Sequence, residues 1–172
     1  MEIIGVSHVE EYVEQIDKYL EKSYPRGIRS LLVELPPPPL DLVNAVKLEF
    51  SEDEVSYVDG FFSTIASRHM AKGTKIIYGD INRQLLEVDF LNFYNRTLEE
   101  MFGTHRDDGI RQVFEQEQPE VTLLGTSHAG KLKRAFPEIP FTRFYDNDPS
   151  WEVPNWFTTQ GIPTPDKIIC FD

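Results

Sequence analysis

The sequence predicts an α/β domain, a mainly parallel or mixed β-sheet flanked by helices, with its functional site at the C-terminal ends of the strands. Three observations predict it. Four short runs, Glu2-Ile3-Ile4, Leu31-Leu32-Val33, Lys75-Ile76-Ile77-Tyr78 and Val121-Thr122-Leu123-Leu124, have the length and aliphatic content of strands buried on both faces. Segments with apolar residues at helical spacing separate them, and strands alternating with helices make parallel layers. Each strand closes near an ionisable residue, and in a parallel sheet those ends share one edge.

After the first strand, Val9, Tyr12, Val13, Ile16 and Leu20 follow the i, i+3, i+4 spacing of a helix that buries one stripe. Pro36 to Pro39 form a stiff segment leaving the second strand. Ser51-Glu52-Asp53-Glu54 reads as a capping box, and Val55, Val58, Phe62, Ile65 and Ala66 share the face of the helix behind it. Gly60 inside that helix costs about 1 kcal/mol relative to alanine. Beyond the third strand, Phe90, Leu91, Tyr94, Leu98 and Met101 repeat at helical spacing, and Ile110, Val113 and Phe114 mark another helix before Pro119. A short helix after His128 would bury Leu132, Ala135 and Phe136, and Phe141 to Tyr145 would add a fifth strand. Residues 1–145 then form the α/β domain, and 146–172 an irregular arm packed on it through Trp151 and Trp156. A second arrangement has Ile168 to Phe171 pairing at a sheet edge or across a homodimer.

Composition narrows the partners. The chain of 172 residues suits one domain, and 40% apolar with 27% charged residues is the balance of a folded globular protein. A formal charge of −12 repels phosphate backbones and anionic membranes, so neither nucleic acid nor a membrane is an expected partner. Nothing approaches the roughly 20 apolar residues of a membrane span, and Met1-Glu2-Ile3-Ile4 lacks the basic start of a signal peptide. Cys170 is the single cysteine, which rules out an intrachain disulfide and a thiolate metal cluster. A reducing cytoplasm is the expected compartment.

The strongest internal signal is a repeated design. Ile3-Ile4-Gly5-Val6-Ser7-His8 and Leu123-Leu124-Gly125-Thr126-Ser127-His128 both read as an apolar strand, then Gly-x-Ser-His, then a helix. The glycines are expected to turn the chain at the strand ends. The second strand closes with Glu34 and the third with Asp80. Ligands of open α/β sheets bind outside the carboxyl ends of the strands, so two imidazoles and two carboxylates would gather there. Neutral imidazole and carboxylate are usual ligands of divalent metals, and two His with one carboxylate leave positions open for water. His8, Glu34, His128 and Asp80 are the candidate metal ligands. Glu34 could equally cap a helix, and Asp80 could form an Asx-turn with Asn82. Ser7 and Ser127 are read as capping or orienting groups, since neither sits in Gly-x-Ser-x-Gly. His69, at helical spacing from Phe62, Ile65 and Ala66, is read as structural, and His105 as a capping residue at a helix start. Arg83 and Arg106, each before a helix, could hold a substrate carboxylate or an oxyanion.

At these residues the sequence resembles the superfamily of TraB/PrgY pheromone-shutdown proteins, GumN-like proteins, Tiki proteases, erythromycin esterases and haem-binding ChaN proteins. The resemblance rests on the pair Gly5-Val6-Ser7-His8 and Gly125-Thr126-Ser127-His128, the strand Leu32-Val33-Glu34-Leu35, the segment Gly79-Asp80-Ile81-Asn82-Arg83, and Thr104-His105-Arg106-Asp107 ahead of the second motif, over residues 3–136. It implies His8, Glu34 and His128 as core site residues, with Arg83 and Arg106 in support. The function it implies is a hydrolase that activates water to cleave an amide or ester of a peptide or small molecule. A divalent metal, Zn, Mn or Co, serves in one version, and a histidine base oriented by Glu34 in the other. Sequestration of a peptide, haem or metal without catalysis is the alternative from another class.

Overall fold

The computed structural model describes residues 1–7, 12–35, 52–80, 105–145 and 163–170, without the side chains of 52–59, 105 and 106. His8, Pro36 to Pro39, Arg83, the expected helix around Phe90 to Met101, Trp151 and Trp156 lie outside the described residues. Ten elements run in the order β1 (Glu2–Val6), α1 (Val13–Ser23), β2 (Ser30–Val33), α2 (Glu52–Ala71), β3 (Lys75–Tyr78), α3 (His105–Glu117), β4 (Val121–Gly125), α4 (Thr126–Ala135), β5 (Phe141–Tyr145) and β6 (Lys167–Cys170). All six strands join one parallel sheet in the order β3-β2-β4-β1-β5-β6.

Alternation of side chains along the strands feeds two cores. Ile4, Val6, Leu31, Val33, Val121 and Leu123 pack with Val13, Ile16 and Leu20 of α1 and with Phe61, Phe62, Ile65 and Ala66 of α2. On the opposite face Ile3, Leu32, Ile77, Leu124 and Phe141 pack with Ile110 and Phe114 of α3 and with Ala129 and Leu132 of α4. The result is a three-layer sandwich. Its handedness follows from the strand order, because right-handed crossovers that move in opposite directions along the sheet must lie on opposite faces. The crossovers through α1 and α2 move from β1 toward β3, whereas α4 leads from β4 back across β1 to β5.

That reversal positions the site. Helices α1 and α2, which follow β1 and β2, pack on one face, and α4, which follows β4 between those two strands, packs on the other. The end of β4 is thus the point where the connections change face, the position at which ligands of such sheets bind. Among the described residues, no helix is long and apolar enough to cross a membrane.

Several elements differ in detail from the sequence reading. β3 is half-buried rather than buried on both faces, with Lys75 exposed, because it is an edge strand with one neighbour. Helix α4 starts at Thr126, ahead of His128, and Ala135, its last residue, is exposed rather than buried. Gly5 and Gly125 do not adopt positive φ, so neither makes a left-handed turn. Gly5 lies within β1, where a Cβ would meet Phe141 Cε2 at 3.1 Å and Ala129 Cβ and Thr126 Cα at 3.3 Å. Its value is close approach: α4 crosses directly above it. Within the expected arm, Lys167–Cys170 takes the sheet-edge arrangement and pairs with β5. Lys133 secures that edge, its buried ammonium donating to the carbonyls of Pro137 and Ile139 and to Asp166 Oδ2, which also accepts the Phe141 N–H.

His69 is structural, as its spacing suggests, but it is paired. Its Nε2 lies 3.2 Å from Oδ1 of Asp17 on α1, and Arg68 Nη1 donates to Asp17 Oδ2 at 2.7 Å. Burial pushes the Asp17 carboxyl up, but the hydrogen bonds from His69 and Arg68 outweigh it and hold the group below the usual carboxylate range. A depressed folded pKa contributes stability that is present above the unfolded value, about 3.9, and is lost as pH falls through the folded value. Asp17→Asn is therefore expected to lower stability at neutral pH by about 1 kcal/mol, the difference between a charged and a neutral acceptor. Urea titrations across a pH series should also show a flatter loss of stability below about pH 4 in the variant. An unchanged acid limb would mean that the α1–α2 pairing contributes nothing.

Candidate functional site

Glu34 is the first residue past β2, and register places it beside the end of β4, since Val33 pairs with Leu123. Its carboxylate is turned into the protein, with only 4% of the side chain exposed. There Oε2 accepts the N–H of Gly125 at 2.7 Å. Gly125 is the N-cap of α4, which begins without a side-chain cap bond, so Glu34 takes up one of the amide donors that open the helix. The positive end of the helix dipole favours a carboxylate at this point. Ser127 is the second residue of α4 and supplies no cap.

His128 is the third residue of α4, so its ring leaves the first turn above the carboxyl ends of the strands. Nε2 stands 3.6 Å from Glu34 Oε1. Nδ1 stands 2.6 Å from Oδ1 of Asp107, and Lys131 Nζ donates to Oδ2 of the same aspartate at 2.6 Å. Asp107 belongs to the first turn of α3, whose N-terminus reaches this edge because α3 runs antiparallel to the strands. Lys131 lies three residues beyond His128, on the same face of α4. A continuous polar chain thus runs from the end of β2 through α4 to the start of α3.

Glu34 and His128 are thereby brought together from strands that are neighbours in space and distant in sequence. Asp80 stands at the same edge, one strand beyond Glu34, where its N–H donates to the Leu35 carbonyl. Ser7 follows β1, the neighbour of β4, and His8, which comes next, lies outside the described residues, as do Arg83 and the Arg106 side chain. Asp107 entered the sequence reading only within the segment Thr104-His105-Arg106-Asp107, with no role of its own, and Lys131 did not enter it; the i, i+3 spacing of His128 and Lys131 was the one available signal for the lysine.

Chemically, an imidazole nitrogen and a carboxylate oxygen 3.6 Å apart can share one small guest: a water hydrogen-bonded to both, or a divalent ion at about 2.1 Å from each. Among the described residues, no group of three His, Cys, Asp or Glu converges in a way that would hold a metal ion. The geometry explains why: Asp107 and Glu34 address opposite nitrogens of the His128 ring. Of the expected ligand set, Glu34 and His128 pass the test of proximity as two donors.

Glu34 also carries local stability. Glu34→Ala would strand the buried Gly125 N–H and is expected to cost about 1–3 kcal/mol, whereas Glu34→Gln keeps an acceptor there and should cost less. Chemical denaturation of both variants checks this, and equal stability of the two would refute it.

No family model, curated protein or solved structure matches this chain.

Proposed function

We propose that the protein is a hydrolase that activates water between His128 and Glu34 to cleave an amide or an ester. The observation that carries this reading is the 3.6 Å approach of His128 Nε2 to Glu34 Oε1 beside the end of β4. A carbonyl substrate bound at that edge would meet a ring nitrogen able to take a proton from water and a carboxylate able to orient it. The repeated Gly-x-Ser-His design and the resemblance built on it support the same chemistry. Arg83 and Arg106 are the candidates for stabilising the oxyanion.

If the reaction uses a divalent ion, His128 and Glu34 are two of its ligands, with His8 and Asp80 the candidates for completing the set. The ion would supply a water acidified toward neutral pH and a Lewis acid for the carbonyl. The protein's own part is unchanged: to orient the ring, keep Glu34 in place and admit the carbonyl group.

The test is turnover by purified protein on a panel of peptide amides and small esters, after chelation and after adding back Zn²⁺, Mn²⁺ or Co²⁺. Hydrolysis of at least one class is expected, with loss of about 10²-fold or more in Glu34→Gln. Absence of turnover on both classes with every ion would overturn the reading. Stoichiometric uptake of metal or haem alongside that absence would replace it with sequestration.

A further inference from the structure

We infer that Asp107, held by Lys131, is the positioning residue that fixes His128 in the tautomer carrying its proton on Nδ1, leaving the Nε2 lone pair facing Glu34. A neutral imidazole has one donor and one acceptor nitrogen, and the hydrogen bond made by one nitrogen decides the role of the other. His128 has a carboxylate on each side. If Glu34 won the proton, Nε2–H would point at Oε1 and the site would hold no basic nitrogen.

The distances decide the competition. Asp107 Oδ1 is 2.6 Å from Nδ1, a short charge-assisted hydrogen bond, whereas Glu34 Oε1 is 3.6 Å from Nε2, beyond hydrogen-bond range. Lys131 removes the remaining ambiguity. By donating to Asp107 Oδ2 at 2.6 Å it occupies that oxygen and turns Oδ1 to the ring as an acceptor, so the hydrogen between Asp107 and the ring belongs to Nδ1. Gly125 acts similarly on Glu34, drawing Oε2 toward the start of α4 and away from the ring. The arrangement is assembled from two helix starts, so it exists only in the folded chain.

For its consequence in turnover this inference rests on the hydrolase reading; for the tautomer it stands alone. The experiment is nitrogen-15 NMR of imidazole-labelled protein in chelator at about pH 8, above the ordinary histidine range. The His128 signals are assigned by their loss in His128→Gln. Wild type should show Nδ1 protonated and Nε2 bare, and Asp107→Ala should shift the proton to Nε2. Lys131→Met, which leaves the aspartate in place, should weaken the preference and provides a second variant should Asp107→Ala fail to fold. Turnover in Asp107→Ala should fall about 10–100-fold, the usual effect of losing the group that orients a functional histidine. A wild-type ring protonated on Nε2 or on both nitrogens, or an unchanged tautomer in folded Asp107→Ala, would overturn the inference. Absence of wild-type turnover with the Nδ1 tautomer intact would sink the hydrolase reading alone.

Discussion

Replacing His128 with alanine is expected to lower kcat/KM on the hydrolysed amide or ester by about 10²–10⁴-fold, the range contributed by a positioned acid or base, while the protein still folds. The separation of the two effects follows from the partners the ring leaves behind. Asp107 retains Lys131, and Glu34 retains the Gly125 N–H, so neither carboxylate is stranded without a donor. Alanine is also a better helix former than histidine, by about half a kcal/mol, in a first turn whose other packing comes from Ala129 and Leu132. Thermal unfolding should therefore move by no more than about 2–4 °C, equivalent to about 1 kcal/mol in a chain of this size. Initial rates measured beside circular-dichroism melts make the comparison. Turnover equal to wild type would remove His128 from the chemistry and the hydrolase reading with it.

The layered fold was legible because it depends on local pattern. Glu2 to Ile4, Leu31 to Val33 and Val121 to Leu124 read as parallel strands of the core, and the stripe of Val13, Ile16 and Leu20 fixed the buried side of α1. The convergence of Glu34 with His128 was legible for the same reason, since parallel strands end on one edge. What pattern does not encode is lateral order. That β4 enters between β2 and β1 is set by which crossover packs best, and this order alone makes the end of β4 the centre of the site. The pairing of Asp107 with His128 was hidden for a related reason. The aspartate's helix start, His105-Arg106-Asp107-Asp108, is locally explained by charge at an N-terminus, and only the packing of α3 beside α4 brings it to His128. Asp17 illustrates the converse, a charged residue on the buried face of α1 whose partners come from α2.

The same dependence on close packing makes Gly5 a sensitive position outside the polar cluster. Gly5→Val is expected to destabilise the fold by about 1–3 kcal/mol, toward the upper end, because it overpacks a filled core. Alanine is the milder case. Its Cβ would require Phe141, Ala129 and Thr126 each to yield by a few tenths of an ångström, and the reduced freedom of the unfolded chain would return about 0.4–1 kcal/mol. Valine adds two methyl groups to a Cβ already 3.3 Å from the Cα of Thr126, a backbone atom that cannot rotate away. The relief available is a shift of the start of α4 off β1, and the start of α4 is what carries Gly125 and His128 to Glu34. Function should therefore fail along with stability, in contrast to His128→Ala, where it fails alone. A fall of about 5–10 °C in Tm, with turnover reduced even well below the melting range, is the expected result. A valine variant with the wild-type Tm would mean that α4 does not rest on Gly5, and that the seat of His128 against the sheet has been misassigned.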